Sequence, residues 1–267
     1  MFLTELVNAA PLFFLLFARI LAMLTVAPLF SSGSVPAIAR VALTLFTVIT
    51  IFPWVKTLDY FIPNNGLAFV GLLVGEVLLG ILTGFIVTLV YQIFQLSGEL
   101  FATQMGFSAS VVFDPLAQIE IPVLGQLFNL IAMFVFISVD GFQRLFLVNV
   151  FKSVEVLRAS DLLTQPDFLS AKLIGTLGMI FEKSILISLP ILGTLILVTM
   201  VLGLMGKAAP QMNLLMIGFP VSIGVGFAVM IVAMPFLTDA FVGVVDLGLN
   251  EVLDVMDKIS PPTRVGL

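Results

Sequence analysis

Four stretches of this chain, residues 77–98, 121–139, 184–206 and 208–238, contain no Asp, Glu, Lys or Arg. Each is near or beyond the ~20 residues that a helix needs to cross the hydrocarbon core of a bilayer. The composition agrees: 60% of the 267 residues are hydrophobic, 10% are charged, and the mean hydropathy is +1.23. An ordinary soluble domain is about half apolar and about a quarter charged. Too few polar side chains remain to cover a water-facing surface, which excludes a soluble globular enzyme. Disorder is excluded too, because it goes with low hydrophobicity. With 11 Lys+Arg against 16 Asp+Glu the net charge is −5, so no basic patch exists to hold nucleic-acid phosphates.

The runs predict an all-α membrane-type protein with six hydrophobic helices, at about 6–27, 37–55, 67–105, 121–151, 178–206 and 212–238. The first is not a cleavable signal peptide, since no basic residue precedes it and Arg19 lies inside it. Lys56, Arg144, Lys152, Arg158, Lys172, Lys183, Lys258 and Arg264 fall on the N-terminal side of a six-span bundle, against Arg40 and Lys207 on the other. That bias places both termini in the cytoplasm. Pro28, Pro36, Pro190, Pro220 and Pro235 lie within or beside apolar runs and are expected to bend or break them.

The chain has no histidine and no cysteine. Imidazole and thiolate catalysis, zinc sites, disulfides and iron–sulfur clusters are therefore excluded. No intramembrane protease motif is present, so no catalytic residue, metal ligand or cofactor site is expected.

Segment 67–105 is the most informative. It is too long for one simple span: ~58 Å as continuous helix against ~30 Å of hydrocarbon. Gly71 and Gly75 form one small-xxx-small pair, Gly80 and Gly84 another. The pairs lie roughly 140–220° apart around the axis, which predicts close packing on opposite sides of the helix. Farther along, Thr88, Gln92, Gln95, Glu99 and Thr103 fall within roughly 80° of one another. Such a stripe must face protein or water rather than lipid. It serves either hydrogen bonds between spans or the wall of an aqueous path.

After the stripe comes Met105-Gly106-Phe107-Ser108-Ala109-Ser110-Val111-Val112-Phe113-Asp114-Pro115, then Ile121-Pro122. Asp114 and Pro115 stop a helix, leaving an apolar loop that is either an interfacial turn or a compressible seal. Arg19, Arg40, Glu76 and Glu99 are ionisable groups in apolar surroundings and are costly there unless paired or wet. Lys207, followed by Pro210, Gln211 and Asn213, makes a polar turn at a hairpin tip. Residues 239–259 read as an acidic amphipathic helix, with Val245, Leu249, Val252, Met256 and Ile259 opposite Asp246, Asn250, Asp254 and Asp257.

Taken in order, these pieces resemble the FliR family, the R-type component of the flagellar type III export gate, whose injectisome counterpart is SctT. The resemblance rests on Arg19…Ala27-Pro28-Leu29-Phe30, Val35-Pro36-x3-Arg40-x2-Leu43 and Gly75-Glu76-x3-Gly80-x3-Gly84-Phe85. It continues through Gly98-Glu99…Gln104-Met105-Gly106-Phe107…Asp114-Pro115…Pro122-Val123-Leu124. The most specific block is Leu202-Gly203-Leu204…Lys207-Ala208-Ala209-Pro210-Gln211-Met212-Asn213…Ile217-Gly218-Phe219-Pro220. Lys207 stands where Arg is common in the family, which keeps the charge and loses bidentate geometry. The Phe113-Asp114-Pro115 context favours the flagellar over the injectisome system.

The resemblance implies one helical domain over 1–267 that looks like a fusion of the gate's P-type and Q-type subunits. Residues 1–183 would be the P-like portion with a plug loop at about 106–122. Residues 184–267 would be the Q-like hairpin plus the C-terminal helix. It also implies a single copy joined to P-type and Q-type chains in the bacterial inner membrane, within the flagellar basal body. The implied neighbours are export-switch and export-motor membrane proteins, membrane lipid and unfolded flagellar substrates. The rival class is an ion-coupled secondary transporter of a small solute using Arg19, Glu76 and Glu99; inverted repeats would support it, and none is visible.

Overall fold

In a computed structural model of the chain, the described residues are 2–27, 30, 35–58, 60, 62–63, 65–107, 123–159, 166–211 and 213–259. Most of them are helical, with no strand among them. Helix α1 covers Phe2–Val26 and α2 covers Ala37–Val55, with Pro36 at its N-cap and a short 3₁₀ turn, Lys56–Leu58, after it. Helix α3, Gly66–Met105, is 40 residues without a proline. Helix α4 is Val123–Ser138 and α5 is Gly141–Leu145; a π-helical stretch, Phe146–Lys152, leads into α6, Ser153–Val156. Helix α7, Pro166–Ala208, is 43 residues and carries Pro190 inside it. Helix α8 is Leu214–Val232, and α9, Met234–Ile259, departs from it by 66° at Ala233.

Within the described residues four helical segments are long and apolar enough to cross a membrane: 9–26, 37–58, 66–105 and 171–208. The bent pair 216–232 and 234–258 makes a fifth if it counts as one span. The chain is a multi-pass, all-α membrane protein.

Three boundaries depart from the sequence expectation. The helix expected over 121–151 ends at Ser138, because Asp140 takes a left-handed φ of 55° and Gly141 starts a new helix. Helix α4 is thus only 16 residues, ~24 Å of rise. The helix expected over 178–206 starts at Pro166, a residue suited to the first helical position because its missing N–H would be unpaired there anyway. The helix expected over 212–238 ends at Val232, and the next starts at Met234 rather than at 239, with Pro235 just after the bend; Pro190 and Pro220 are carried inside helices.

The chain forms two compact units. One comprises Met1–Val90, Asp140–Leu177 and Asp246–Leu267; the other comprises Tyr91–Val139 and Gly178–Val245. In the first unit α1 packs along α2, with Phe13 edge-on to Phe52 at 5.7 Å. Its core joins Leu79 and Ile86 of α3, Val156 and Leu157, and Val252, Val255 and Met256 of α9. The polar face of α9 is held by cations: Lys172 lies 2.5 Å from Glu251 and 2.7 Å from Asp254, Arg144 2.6 Å from Asp246, and Lys152 3.6 Å from Asp257.

In the second unit an aromatic chain of edge-to-face contacts links Phe101, Phe128, Phe241 and Phe94, at 4.9, 5.4 and 4.6 Å between centroids. The backbones of α3 and α4 meet at glycines: a Cβ on Gly98 would lie 2.7 Å from Gly125 Cα. Hydroxyls join α3 to α7, with Ser97 Oγ donating to Ser184 O at 3.3 Å and Ser184 Oγ to Ile93 O at 3.2 Å. Close backbones and hydroxyl bonds are how helices associate where lipid removes the hydrophobic drive.

Candidate functional site

Helix α3 organises the features singled out in the sequence. In the first unit, Gly80 and Gly84 face α1: a Cβ on Gly80 would sit 2.1 Å from Arg19 O, and one on Gly84 2.7 Å from Met23 O. Gly75 faces another neighbour, where a Cβ would meet Ala159 Cβ at 2.5 Å. Gly71, the expected partner of Gly75, has nothing within 4 Å.

The close approach of α1 and α3 brings Arg19 to Glu76. Arg19 Nε donates to Glu76 Oε2 at 2.5 Å, and the residues are only 3% and 1% exposed. The rest of the guanidinium is used as well: Nη1 donates to Ser153 O at 2.8 Å and Nη2 to Leu157 O at 3.0 Å. The second carboxylate oxygen, Oε1, accepts from the Tyr60 hydroxyl. Burial pushes the Tyr60 phenol above its ordinary pKa, and the neighbouring Glu76 charge pushes it further. Arg158 lies over the Tyr60 ring at 4.3 Å and donates to Leu58 O at 2.9 Å. The charges of Arg19 and Glu76 are thus met by partners within the fold. Of the three residues that an ion-coupled carrier would use, Arg19 and Glu76 are buried and paired, while Glu99 is half-buried. Arg40, the other arginine in an apolar setting, is half-buried, and its Nε has no hydrogen-bond partner among the described residues.

The polar stripe divides. Thr88 Oγ1 donates within the first unit, to Val26 O and Gly84 O, each at 2.9 Å. In the second unit Gln95 Nε2 donates to Glu99 Oε1 at 2.8 Å, and Asn129 Nδ2 approaches Gln95 Oε1 at 3.5 Å. Tyr91 adds a bond from its hydroxyl to Asn129 O at 2.9 Å. Gln92 and Thr103 are exposed; Thr103 Oγ1 donates to Leu100 O of its own helix at 2.7 Å.

At the end of α3, Gly106 has φ +92° and the chain closes by Phe107 N donating to Ala102 O at 3.1 Å. Met105 is buried, whereas Phe107 is half-buried with its ring 6.5 Å from that of Phe227. Val111, Val112, Phe113, Asp114 and Pro115 lie outside the described residues.

The hairpin between α7 and α8 presents Lys207 in the last turn of α7, where the helix dipole favours a cation, and it is exposed. Pro210, Gln211 and Asn213 are exposed too, and Asn213 Oδ1 caps α8 by accepting from Met216 N at 3.3 Å. Gly218 is buried against Leu202, and Pro220 is exposed. The tip is narrow because Gly206 leaves room for Leu214, whose Cδ1 would be 2.4 Å from a Cβ there.

Sequence reasoning missed Tyr60, Ser153, Leu157 and Ala159 as neighbours of the buried charges and glycines, and Asn129 beside Gln95. One signal was available: the chain has 26 Phe and only 2 Tyr. Both tyrosine hydroxyls are hydrogen-bonded, to Glu76 and to Asn129 O.

The family described as bacterial export proteins, family 1, matches residues 10–247. The flagellar biosynthetic protein FliR of Borreliella burgdorferi is 31% identical over 198 residues, 74% of each chain. That of Escherichia coli K12 is 29% identical over 228 residues, 85% of each chain. That of Bacillus subtilis is 28% identical over 237 residues, 87% of this chain and 89% of its own.

Proposed function

Because this chain belongs to the bacterial export proteins of family 1 and, among them, to the FliR family, we propose that it forms part of the wall of the type III export gate in the bacterial inner membrane. It is a component of a flagellar export apparatus, and its work there needs no catalytic group. One copy joins P-type and Q-type subunits and borders the path of unfolded flagellar proteins, beside the export-switch and export-motor membrane proteins. The segment 106–122 acts as the plug, with Met105, Gly106 and Phe107 at its root and Val111, Val112, Phe113, Asp114 and Pro115 in its body. Residues 1–183 serve as the P-like portion and 184–267 as the Q-like hairpin and terminal helix.

The observation that carries this reading is the exposed amide of Gln92 on an apolar helix, beside the half-buried Gln95–Glu99 pair. A primary amide in hydrocarbon is costly, so this face is turned to protein or to the conduit. Single cysteines at 92, 95, 99 and 103 in the natural cysteine-free chain test it. Reaction with membrane-impermeant reagent, or protection that depends on the partner subunits, is expected; labelling only from the lipid phase would refute it. The plug is tested by deleting residues 107–113: assembly should persist while the membrane leaks small ions, and an assembled gate with unchanged permeability would refute sealing.

A further inference from the structure

We propose that α8 is the anchor of the root of segment 106–122, with Phe219 and Gly226 as positioning residues that fix how the chain leaves α3. Its role in sealing rests on the plug reading above; the anchor does not. Three consecutive residues at the end of α3 each meet α8. Met105 fills the space over Gly226, where a Cβ would lie 2.8 Å from Met105 Cγ, Sδ and Cε. Gly106 is pressed against Phe219: a Cβ would lie 2.4 Å from ring Cδ1 and 2.7 Å from Cε1. Phe107 stands edge-on to Phe227, at 82°.

Phe219 and Gly226 are two turns apart on α8 and so share one face. Glycine is required twice over at position 106, by its φ of +92° and by the ring that occupies the Cβ site. Ending a helix requires only the left-handed glycine and its closing hydrogen bond. Here the terminus is also seated on a second helix by a methionine, a glycine and two aromatic rings. The Met105-Gly106-Phe107 and Gly218-Phe219-Pro220 motifs, far apart in sequence, are two halves of one joint.

The bound on Met105 and Gly226 gives a direct test. A Cβ at 226 lying 2.8 Å from Met105 Cγ puts the two Cβ atoms within about 4.3 Å, inside disulfide range. In the assembled gate, in membranes, Met105→Cys with Gly226→Cys should cross-link on oxidation, and secretion should continue with the bond closed. Failure to cross-link, or secretion that stops on oxidation and returns on reduction, overturns a fixed anchor.

Phe219→Ala should leave P-type and Q-type subunits co-purifying, yet raise the thiol reactivity of a cysteine at 107 several-fold. Phe219→Leu should restore the slow reaction. Wild-type reactivity at 107 in Phe219→Ala overturns the proposal. If that reactivity rises as expected while neither Phe219→Ala nor deletion of 107–113 leaks, the anchor stands and the seal falls.

Discussion

Arg19 and Glu76, 57 residues apart in sequence, meet Nε to Oε2 at 2.5 Å, each almost wholly removed from solvent. The pair is completed by Tyr60 on the carboxylate and two backbone carbonyls on the guanidinium. Removing one member of a buried pair leaves a bare charge and costs about 3–5 kcal/mol, whereas replacing both by apolar groups is often neutral. Glu76→Leu and Arg19→Met should each lower the thermal midpoint in detergent sharply. The double variant should recover most of the loss. A double variant as impaired as Arg19→Met, with Glu76→Leu little affected, would mean that the carbonyl bonds of Arg19, not its ion pair, dominate.

Gly80 and Gly71 of α3 predict opposite responses. Gly80→Ala places a methyl 2.1 Å from Arg19 O, so α1 must shift and the protein should be destabilised. Gly71 has open space around it; Ala there should be neutral or stabilising by up to about 1 kcal/mol through helix propensity. Thermal midpoints of the two variants, measured side by side, check the contrast. If position 71 meets another subunit, Gly71→Leu folds but no longer co-purifies with P-type and Q-type chains.

The cations on α9 differ in weight. Lys172 is 20% exposed and faces two carboxylates, while Arg144 and Asp246 are both 49% exposed. Exposed pairs contribute about 0–1 kcal/mol and are screened by salt. Lys172→Met should lower the thermal midpoint more than Arg144→Met. Added salt should narrow the gap between wild type and Arg144→Met to nothing.

Tyr60 supplies a pH test. Its phenol is held above the ordinary 10.0 by burial and then by Glu76. The folded state therefore keeps a proton that the unfolded chain gives up. Stability from this group is full below pH ~10 and falls as the pH rises beyond it. The thermal midpoint of the wild type should fall more steeply above that pH than that of Tyr60→Phe. Parallel profiles would show that the phenol is not held.

Helix boundaries were legible where chemistry marks them. Pro36 and Lys56 bracket α2, and α3 runs as far as Gly106 allows. The break at Asp140 was legible too, since Asp140-Gly141 is a turn dipeptide, but the apolar residues on both sides masked it. The start of α7 lies before the expected residue 178 because Asp167 and Lys172 look like the flank of a span. The helix continues past them, with Lys172 neutralised by acids on α9. The opposed directions of the glycines follow from helical periodicity alone. Which helix meets which glycine does not, because Arg19, Tyr60, Glu76 and the stretch 153–157 converge on one place from four separate parts of the chain. Non-local pairings of that kind leave no spacing to read.

The core of the first unit has a consequence for how the protein is made. Leu79 and Ile86 are packed by Val252, Val255 and Met256, which the ribosome delivers long after them. Until then α3 waits in the bilayer with part of its packing surface uncovered, so this unit can be finished only after α9 has been made. Truncations before α9 should therefore be cleared by membrane proteases rather than accumulate as a shorter subunit, making α9 the quality checkpoint for this unit.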